Sequence, residues 1–267
     1  MALKKLKIVI WCGAGANQKA LANKIAASFD VAGIVIDDHS RKVKRPNNLP
    51  AIFWDKLRFR SIYNAWKNLM DHYNQQFPAW PNKPLLKVLN INSEATRSFT
   101  EKLAPDLIVV SGTSLIGKPL INMEASIGII NLHTGLSPYV KGGPNCTNWC
   151  IANNSFHLVG NTIMWLNEGI DSGNIITTET TNIQDAADLD EAHLTVMEHA
   201  HHLYIKAISY LAGSESPYIS VPQASIGKGH LYLTKMWTTD KRKKLLTNWK
   251  KRRSFTAPYT PQTVSLK

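Results

Sequence analysis

The chain has 267 residues, of which 44% are hydrophobic and 19% charged. That composition fits one large globular domain, or one domain with a small extension, and excludes a disordered chain. No stretch reaches the ~18 consecutive apolar residues of a membrane-spanning helix, while the net charge of +12 points to an anionic partner: nucleic acid, a phosphorylated substrate or a membrane surface.

Met1-Ala2-Leu3-Lys4-Lys5 runs directly into an apolar segment, without the hydrophobic core and cleavage site of a secretory signal. Cys12, Cys146 and Cys150 form an odd, sparse set, which reads as free thiols in a reducing compartment and so as a cytoplasmic protein. Cys146 and Cys150 have no second ligand pair beside them, so no metal site is expected. Two basic blocks, Lys241-Arg242-Lys243-Lys244 and Lys250-Lys251-Arg252-Arg253, read as a solvated, partly frayed C-terminus; a tail that contacts phosphates or headgroups is the sharper alternative.

Ile8-Val9-Ile10-Trp11 predicts a strand that stops at the turn Gly13-Ala14-Gly15. Asn17 to Phe29 has helical periodicity, with Ala20, Leu21, Ile25 and Phe29 on or near one face. Val31 to Ile36 is a second strand closed by Asp37-Asp38, which makes a βαβ unit and implies a parallel sheet. Residues 39 to 84 are broken by Pro46, Pro50, Pro78, Pro81 and Pro84, with one helix expected within Ile52–Tyr73. Ser93 caps a helix that carries Glu94 in its first turn and ends at Pro105. Leu107–Val110 and Ile127–Leu132 are buried strands, and a loop and a helix follow the second. Thr162–Leu166 and Ile175–Thr177 are further strands. Asp188 to Glu191 opens a helix that runs to Gly213. A hairpin or strand is expected around His230-Leu231-Tyr232-Leu233.

The residues that carry chemistry lie between Pro105 and Ile176. Asn131 and His133 alternate at a strand end and share one side, and open α/β sheets bind ligands at the carboxyl ends of their strands. Asp171 sits between Gly169 and Gly173, where glycines permit a sharp turn and close approach. Moving a formyl group from an amide-like donor to an amine needs a hydrogen-bond donor for the developing oxyanion and a base for the amine's proton. It also benefits from a carboxylate that orients the base and steadies its charge. An Asn, a His and an Asp supply these three functions.

Asn131-Leu132-His133-Thr134-Gly135-Leu136-Ser137-Pro138, then Gly142-Gly143, then Gly169-Ile170-Asp171-Ser172-Gly173 resembles the folate-dependent formyltransferases. That family includes glycinamide ribonucleotide, methionyl-tRNA and amino-sugar N-formyltransferases. The likeness covers nearly all of residues 7–36 and 87–213. It implies a Rossmann-like, mostly parallel twisted sheet, N10-formyltetrahydrofolate as donor, and catalytic roles for Asn131, His133 and Asp171. By the same resemblance, Ser114, Leu115 and Ile116 bind the pterin on one side, Trp165, Leu166, Asn167, Glu168 and Gly169 line the other, and Thr162 bonds near the reacting centre.

Gly13-Ala14-Gly15-Ala16-Asn17 is similar to the phosphate-binding loop of glycinamide ribonucleotide formyltransferase, and amides at a helix start suit an anion. Ala16 stands where that enzyme has serine, and Thr134-Gly135 also departs from it, which favours a nucleotide-linked amino sugar over the purine substrate. A dinucleotide site is a weaker reading, since Gln18 replaces the third glycine even though Asp37 lies near the acidic position. His199 and His202 share a helix face and read as solvated. Tyr139 and Lys141 border the acceptor or stand exposed, and Ser137 is a turn residue.

These readings divide the chain into a formyltransferase catalytic domain, 1–213, and a basic extension, 214–267. The acceptor is expected to be a small, phosphate-bearing amine. Glycinamide ribonucleotide and methionyl-tRNA are the rival acceptors, and a non-catalytic nucleic-acid-binding module is the alternative of a different kind. A homodimer through the C-terminal segment is compatible with all of these.

Overall fold

A computed structural model of the protein describes residues 6–38, 49–143, 145–218 and 220–266, with only the backbone described for 49–52. Met1–Lys5 and Pro46 lie outside the described residues. The elements are β1 (Lys7–Gly13), α1 (Ala16–Ser28), β2 (Asp30–Asp37), α2 (Leu49–Arg58), α3 (Arg60–Gln76), β3 (Leu85–Val88), α4 (Glu94–Leu103), β4 (Leu107–Ser111) and α5 (Lys118–Ile121). They continue with β5 (Gly128–His133), β6 (Val140–Gly142), α6 (Cys146–Ala152), β7 (Gly160–Trp165), β8 (Ile175–Thr180), α7 (Leu189–Gly213), α8 (Gln223–Ile226), β9 (His230–Tyr232) and α9 (Thr239–Lys250).

Seven strands form one sheet in the order β3-β2-β1-β4-β5-β7-β8. β3 through β5 in that order are parallel, and β7 and β8 add on antiparallel. The central strands read as continuous apolar runs because both faces are covered. Ile8, Ile10 and Cys12 pack with Leu21 and Ile25 of α1 and with Leu203 and Tyr204 of α7. Val9 and Trp11 point the other way, toward Val110, Leu120 and the half-buried Phe99 of α4. Each such aliphatic side chain contributes about 1.5–3 kcal/mol by leaving water.

The chain leaves β1 toward β2 and β3, then returns to place β4 on the other side of β1. The loops after β1 and β4 therefore diverge, and a crevice opens between them at the carboxyl ends of the strands. At its floor the loops almost touch: a Cβ on Gly13 would lie 2.3 Å from the Gly112 carbonyl oxygen. Gly13 is thus required by this contact between loops.

Three expectations change. The helix expected in Ile52–Tyr73 is two helices, α2 and α3, that break at the buried Phe59. The segment around His230 is a single strand, β9, which pairs parallel with β6, so no hairpin forms there. The first basic block lies in α9, which packs on α6 through fully buried Leu245, and Asn248 Nδ2 donates to the Ile151 and Ala152 carbonyls. That end of the chain is a docked helix where a frayed tail was expected. Farther on, the Val264 amide donates to Thr178 Oγ1 and the Thr178 amide to the Val264 carbonyl.

Tyr204 of α7 pins the sheet beneath the crevice. Its buried hydroxyl accepts from the Val110 amide at 2.8 Å and lies 2.9 Å from the Ile130 carbonyl oxygen. Tyr204→Phe leaves these backbone groups of β4 and β5 without that partner. Urea denaturation should show a loss of about 1–3 kcal/mol, and an unchanged midpoint would remove this role.

Candidate active site

Asn131 and His133 stand at the carboxyl end of β5, where the Asn131 register partners are Val110 of β4 and Met164 of β7. Residues i and i+2 of a strand share a face, so both side chains reach the same crevice. The cleft measures about 910 Å³ and is lined by Asn131, His133 and Asp171 among others. Asn131 is half-buried, and no hydrogen bond of its side chain is formed among the described residues.

His133 is 7% exposed, and both of its ring nitrogens face acceptors. Nδ1 lies 3.3 Å from Asp171 Oδ2, and Nε2 lies 3.0 Å from the Val140 carbonyl oxygen and 3.7 Å from Cys146 Sγ. Burial works against the charged ring, but the Asp171 carboxylate, the Cys146 sulfur and the Val140 carbonyl together outweigh it and push the imidazole up to about 10. An imidazolium has a donor on each nitrogen, so it is the form this setting satisfies. Gly135 makes the setting sterically possible: a Cβ there would lie 2.3 Å from His133 Nε2 and 2.9 Å from Cys146 Sγ.

Asp171 is held in the left-handed region, at φ 47°, a conformation Asp tolerates better than most residues. The Gly142 amide donates to its Oδ2 at 2.9 Å. Gln223 Nε2 donates to the Asp171 carbonyl at 2.8 Å and to that of Gly173 at 2.9 Å. Gly173 serves the loop's own packing, because a Cβ there would fall 1.7 Å from the Trp165 carbonyl oxygen.

Of the expected folate-side residues, Ser114, Leu115, Ile116, Trp165, Leu166, Asn167 and Gly169 line the cleft. Thr162 and Glu168 do not. The buried Thr162 hydroxyl donates to the Gly135 carbonyl and accepts from the Ser137 amide, so it braces the turn after His133. Glu168 is exposed and lies 3.2 Å from Lys118 Nζ. Of the residues expected on the acceptor side, Gly13, Ala14, Gly15 and Asn17 line the cleft. Ala16 packs inward with Ala20, Leu69, Tyr73 and Met197, and Lys141 stands in β6 outside the lining. Tyr139 Oη accepts from the Gln262 amide and so fastens the C-terminal segment.

Asp37 is buried and its Oδ2 accepts from the Ser114 amide at 2.7 Å, so it shapes the loop after β4. His199, read as solvated, bonds instead with Asn161, Thr181 and Glu179. The three cysteines are buried free thiols, and among the described residues no group of His, Cys, Asp or Glu is arranged to hold a metal ion.

The sequence reading missed the part of the cleft built by distant segments. Tyr232, Leu233 and Thr234 line it from the C-terminal region, and Trp66 lines it from α3. β9 arrives there because Gly142 lets it approach: a Cβ on Gly142 would lie 2.1 Å from the Tyr232 carbonyl oxygen. Trp149 stacks on Tyr232 at 4.5 Å and fixes it. The Gly142-Gly143 doublet was the available signal for a close backbone approach.

The fold and the site define a doubly wound α/β protein with a polar Asn–His–Asp group in a cleft at the switch point of its sheet. The formyl transferase family model matches residues 68–208, more than half of the chain, and the protein belongs to that family. Methionyl-tRNA formyltransferase of Clostridium tetani is 33% identical over 114 residues, which cover 42% of this chain and 36% of that protein; the match thus spans well under half of that relative's length. Among solved structures, a 4-N formyltransferase from Francisella tularensis aligns with a TM-score of 0.56 at 19% identity, over 95% of this chain and 90% of that one. A phosphoribosylglycinamide formyltransferase from Anaplasma phagocytophilum aligns with a TM-score of 0.55 at 14% identity, over 86% of this chain and all of that one.

Gly135→Ala should displace the imidazole and destabilise the chain by about 1–3 kcal/mol, the usual range for overpacking; His133 ring resonances identical to those of the parent would contradict this. The pH dependence has a definite sign. A His whose pKa rises on folding adds stability in full below its unfolded value, about 6.5, and loses it as pH climbs through the folded value, about 10. Between those limits the parent protein should lose stability relative to Asp171→Asn, in which the ring should titrate at lower pH. Denaturation curves across the window and NMR titration of His133 measure both effects.

Proposed function

We propose that the chain transfers a formyl group from N10-formyltetrahydrofolate to the primary amine of a small, phosphate-bearing acceptor, in first place a nucleotide-linked amino sugar. The observation that carries this reading is the approach of Asp171 Oδ2 to within 3.3 Å of His133 Nδ1, with Asn131 on the same side of β5 and all three in one cleft. The cleft fits a flat heterocycle between the Ser114–Ile116 loop and the Trp165–Gly169 loop, with Leu115 and Ile170 as exposed apolar lips. When bound there, the folate supplies the formyl carbon and the nitrogen that departs.

Within this reading the Asn131 amide donates to the formyl oxygen as negative charge grows on it. His133 acts as the charged ring that stabilises the same charge. Its surroundings favour the imidazolium, so it is poorly suited to accept the amine's proton. That proton passes to Asp171, directly or through water, and on to the folate nitrogen as its bond to the formyl carbon breaks; both observed contacts of the carboxylate fall on Oδ2, which leaves Oδ1 for it. The acceptor's phosphate lies at Gly13, Ala14, Gly15 and Asn17, against the positive end of α1. Residues 1–213 constitute the catalytic domain, and 214–267 are an extension that lends Tyr232, Leu233 and Thr234 to the cleft. Three free thiols suit a cytoplasmic location.

A sugar N-formyltransferase from Shewanella sp. aligns over 91% of this chain at 18% identity with a TM-score of 0.53, which supports an acceptor of the amino-sugar kind. Methionyl-tRNA is the second reading, favoured by the 33% identity to the Clostridium tetani protein. The test is a mass-spectrometric screen in which N10-formyltetrahydrofolate is offered with nucleotide-linked amino sugars, glycinamide ribonucleotide and methionyl-tRNA. One of the amino sugars should gain a formyl group. Asn131→Ala and His133→Asn should each lower kcat by roughly 10²–10³, and near-normal turnover in either would reject its role. Formylation confined to methionyl-tRNA would replace the acceptor proposed here.

A further inference from the structure

α2 carries a surface that the chemistry of the cleft does not use. Phe53, Trp54 and Leu57 are 63%, 66% and 52% exposed. Their spacing gathers them into a sector of about 100° on the helix wheel. Lys56 and Arg58, both exposed, stand on either side of that sector. The opposite face holds the helix down: Asp55 accepts from Arg242 Nη2 of α9 at 3.0 Å and from the Tyr63 hydroxyl at 2.6 Å. Phe59, just past the helix, is buried beneath the Arg242 guanidinium, 5.1 Å from its ring centre. The large apolar side chains therefore point to solvent while the helix itself is anchored. No helix among the described residues is long and apolar enough to cross a membrane.

We propose that α2 is an interfacial anchor that lays the protein on an anionic lipid surface, with Phe53, Trp54 and Leu57 entering the headgroup–acyl boundary. Charge complementarity selects this occupant. An apolar stripe bordered by cations is the pattern of a helix lying in the membrane plane, where basic residues meet anionic headgroups. Arg60 extends the basic border, and the Asp55–Arg242 ion pair brings α9, with its exposed Lys243 and Lys244, alongside. In sequence, Arg41, Lys42, Lys44 and Arg45 precede α2. A second copy of the chain fits poorly, since a two-fold contact would set Lys56, Arg58 and Arg60 against their own copies. A nucleic acid would call for cations at the centre of the patch, where this one has two aromatic rings and a leucine. Trp66 lies on the next helix and lines the cleft, so one helix links the anchored one to the rim of the site.

Flotation of the full chain with vesicles tests this. Phosphatidylcholine vesicles that contain phosphatidylglycerol should carry the protein, and phosphatidylcholine alone should not. Raising the salt should weaken the association. The double variant Phe53→Ser/Trp54→Ser and, separately, Leu57→Glu should each weaken it by about tenfold or more, with unchanged circular dichroism and Tm. Lys56→Glu/Arg58→Glu should abolish the preference for anionic lipid. Failure to float with anionic vesicles, or flotation of the variants equal to the parent, overturns the proposal. So does a monomer–dimer shift, or a loss of RNA binding, caused by these variants without any change in lipid binding.

Discussion

The site depends on one constraint: a carboxylate must be kept against a buried imidazole by a loop that would not adopt that shape unaided. Asp171 is in a left-handed conformation, and three contacts from outside its loop hold it there. The Gly142 amide and His133 converge on Oδ2, while Gln223 donates to the backbone carbonyls of Asp171 and Gly173. The carboxylate and the Val140 carbonyl then face the two edges of the ring and set its charge. A change in any of these partners reaches His133 without touching it, because buried polar groups in a low-dielectric setting respond strongly to the loss of a partner.

Those partners lie far apart along the chain. β5 supplies the histidine, β6 the amide and the carbonyl, the loop after β7 the carboxylate, and α8 the glutamine. The doubly wound sheet explains why they meet. Strand order reverses between β1 and β4 and the crevice opens there, bordered by β5, the end of β6, the loop after β7 and the residues after β9. The C-terminal region is part of this construction: β9 pairs with β6, Trp149 and Tyr232 stack beneath the pair, and α9 rests on α6.

Much of the central sheet was legible in the sequence. Parallel strands buried on both faces read as unbroken apolar runs, so Ile8–Trp11, Val31–Ile36 and Leu107–Val110 stand out, and Ser93 and Asp188 mark helix starts through their side chains. The elements that escaped have weak local signals. β3, at the sheet edge, has only Val88 buried, β6 is three residues long, and the break between α2 and α3 falls at Phe59, whose burial decides it. Thr162 and Glu168 illustrate the same limit within the site. Both stand close in sequence to lining residues, yet one is turned onto the Gly135–Ser137 backbone and the other out to Lys118.

By itself the sequence determined the periodicities, the caps, and the positions of Asn131, His133 and Asp171 within motifs of recognisable order. These are properties of short stretches, governed by local backbone preferences and by which face of a strand a residue takes. Tertiary structure alone decided the charge on the imidazole, the left-handed Asp171 and the grip of Gln223. It also decided that Gly13, Gly135, Gly142 and Gly173 are needed for close contacts with other parts of the chain. Each of these follows from atoms that folding brings within a few ångströms, some across short separations, as Gly135 on His133 and Gly173 on Trp165, and others across long ones, as Gly13 on Gly112 and Gly142 on Tyr232; desolvation, electrostatics and close packing act there through space and leave no periodic trace in the order of residues.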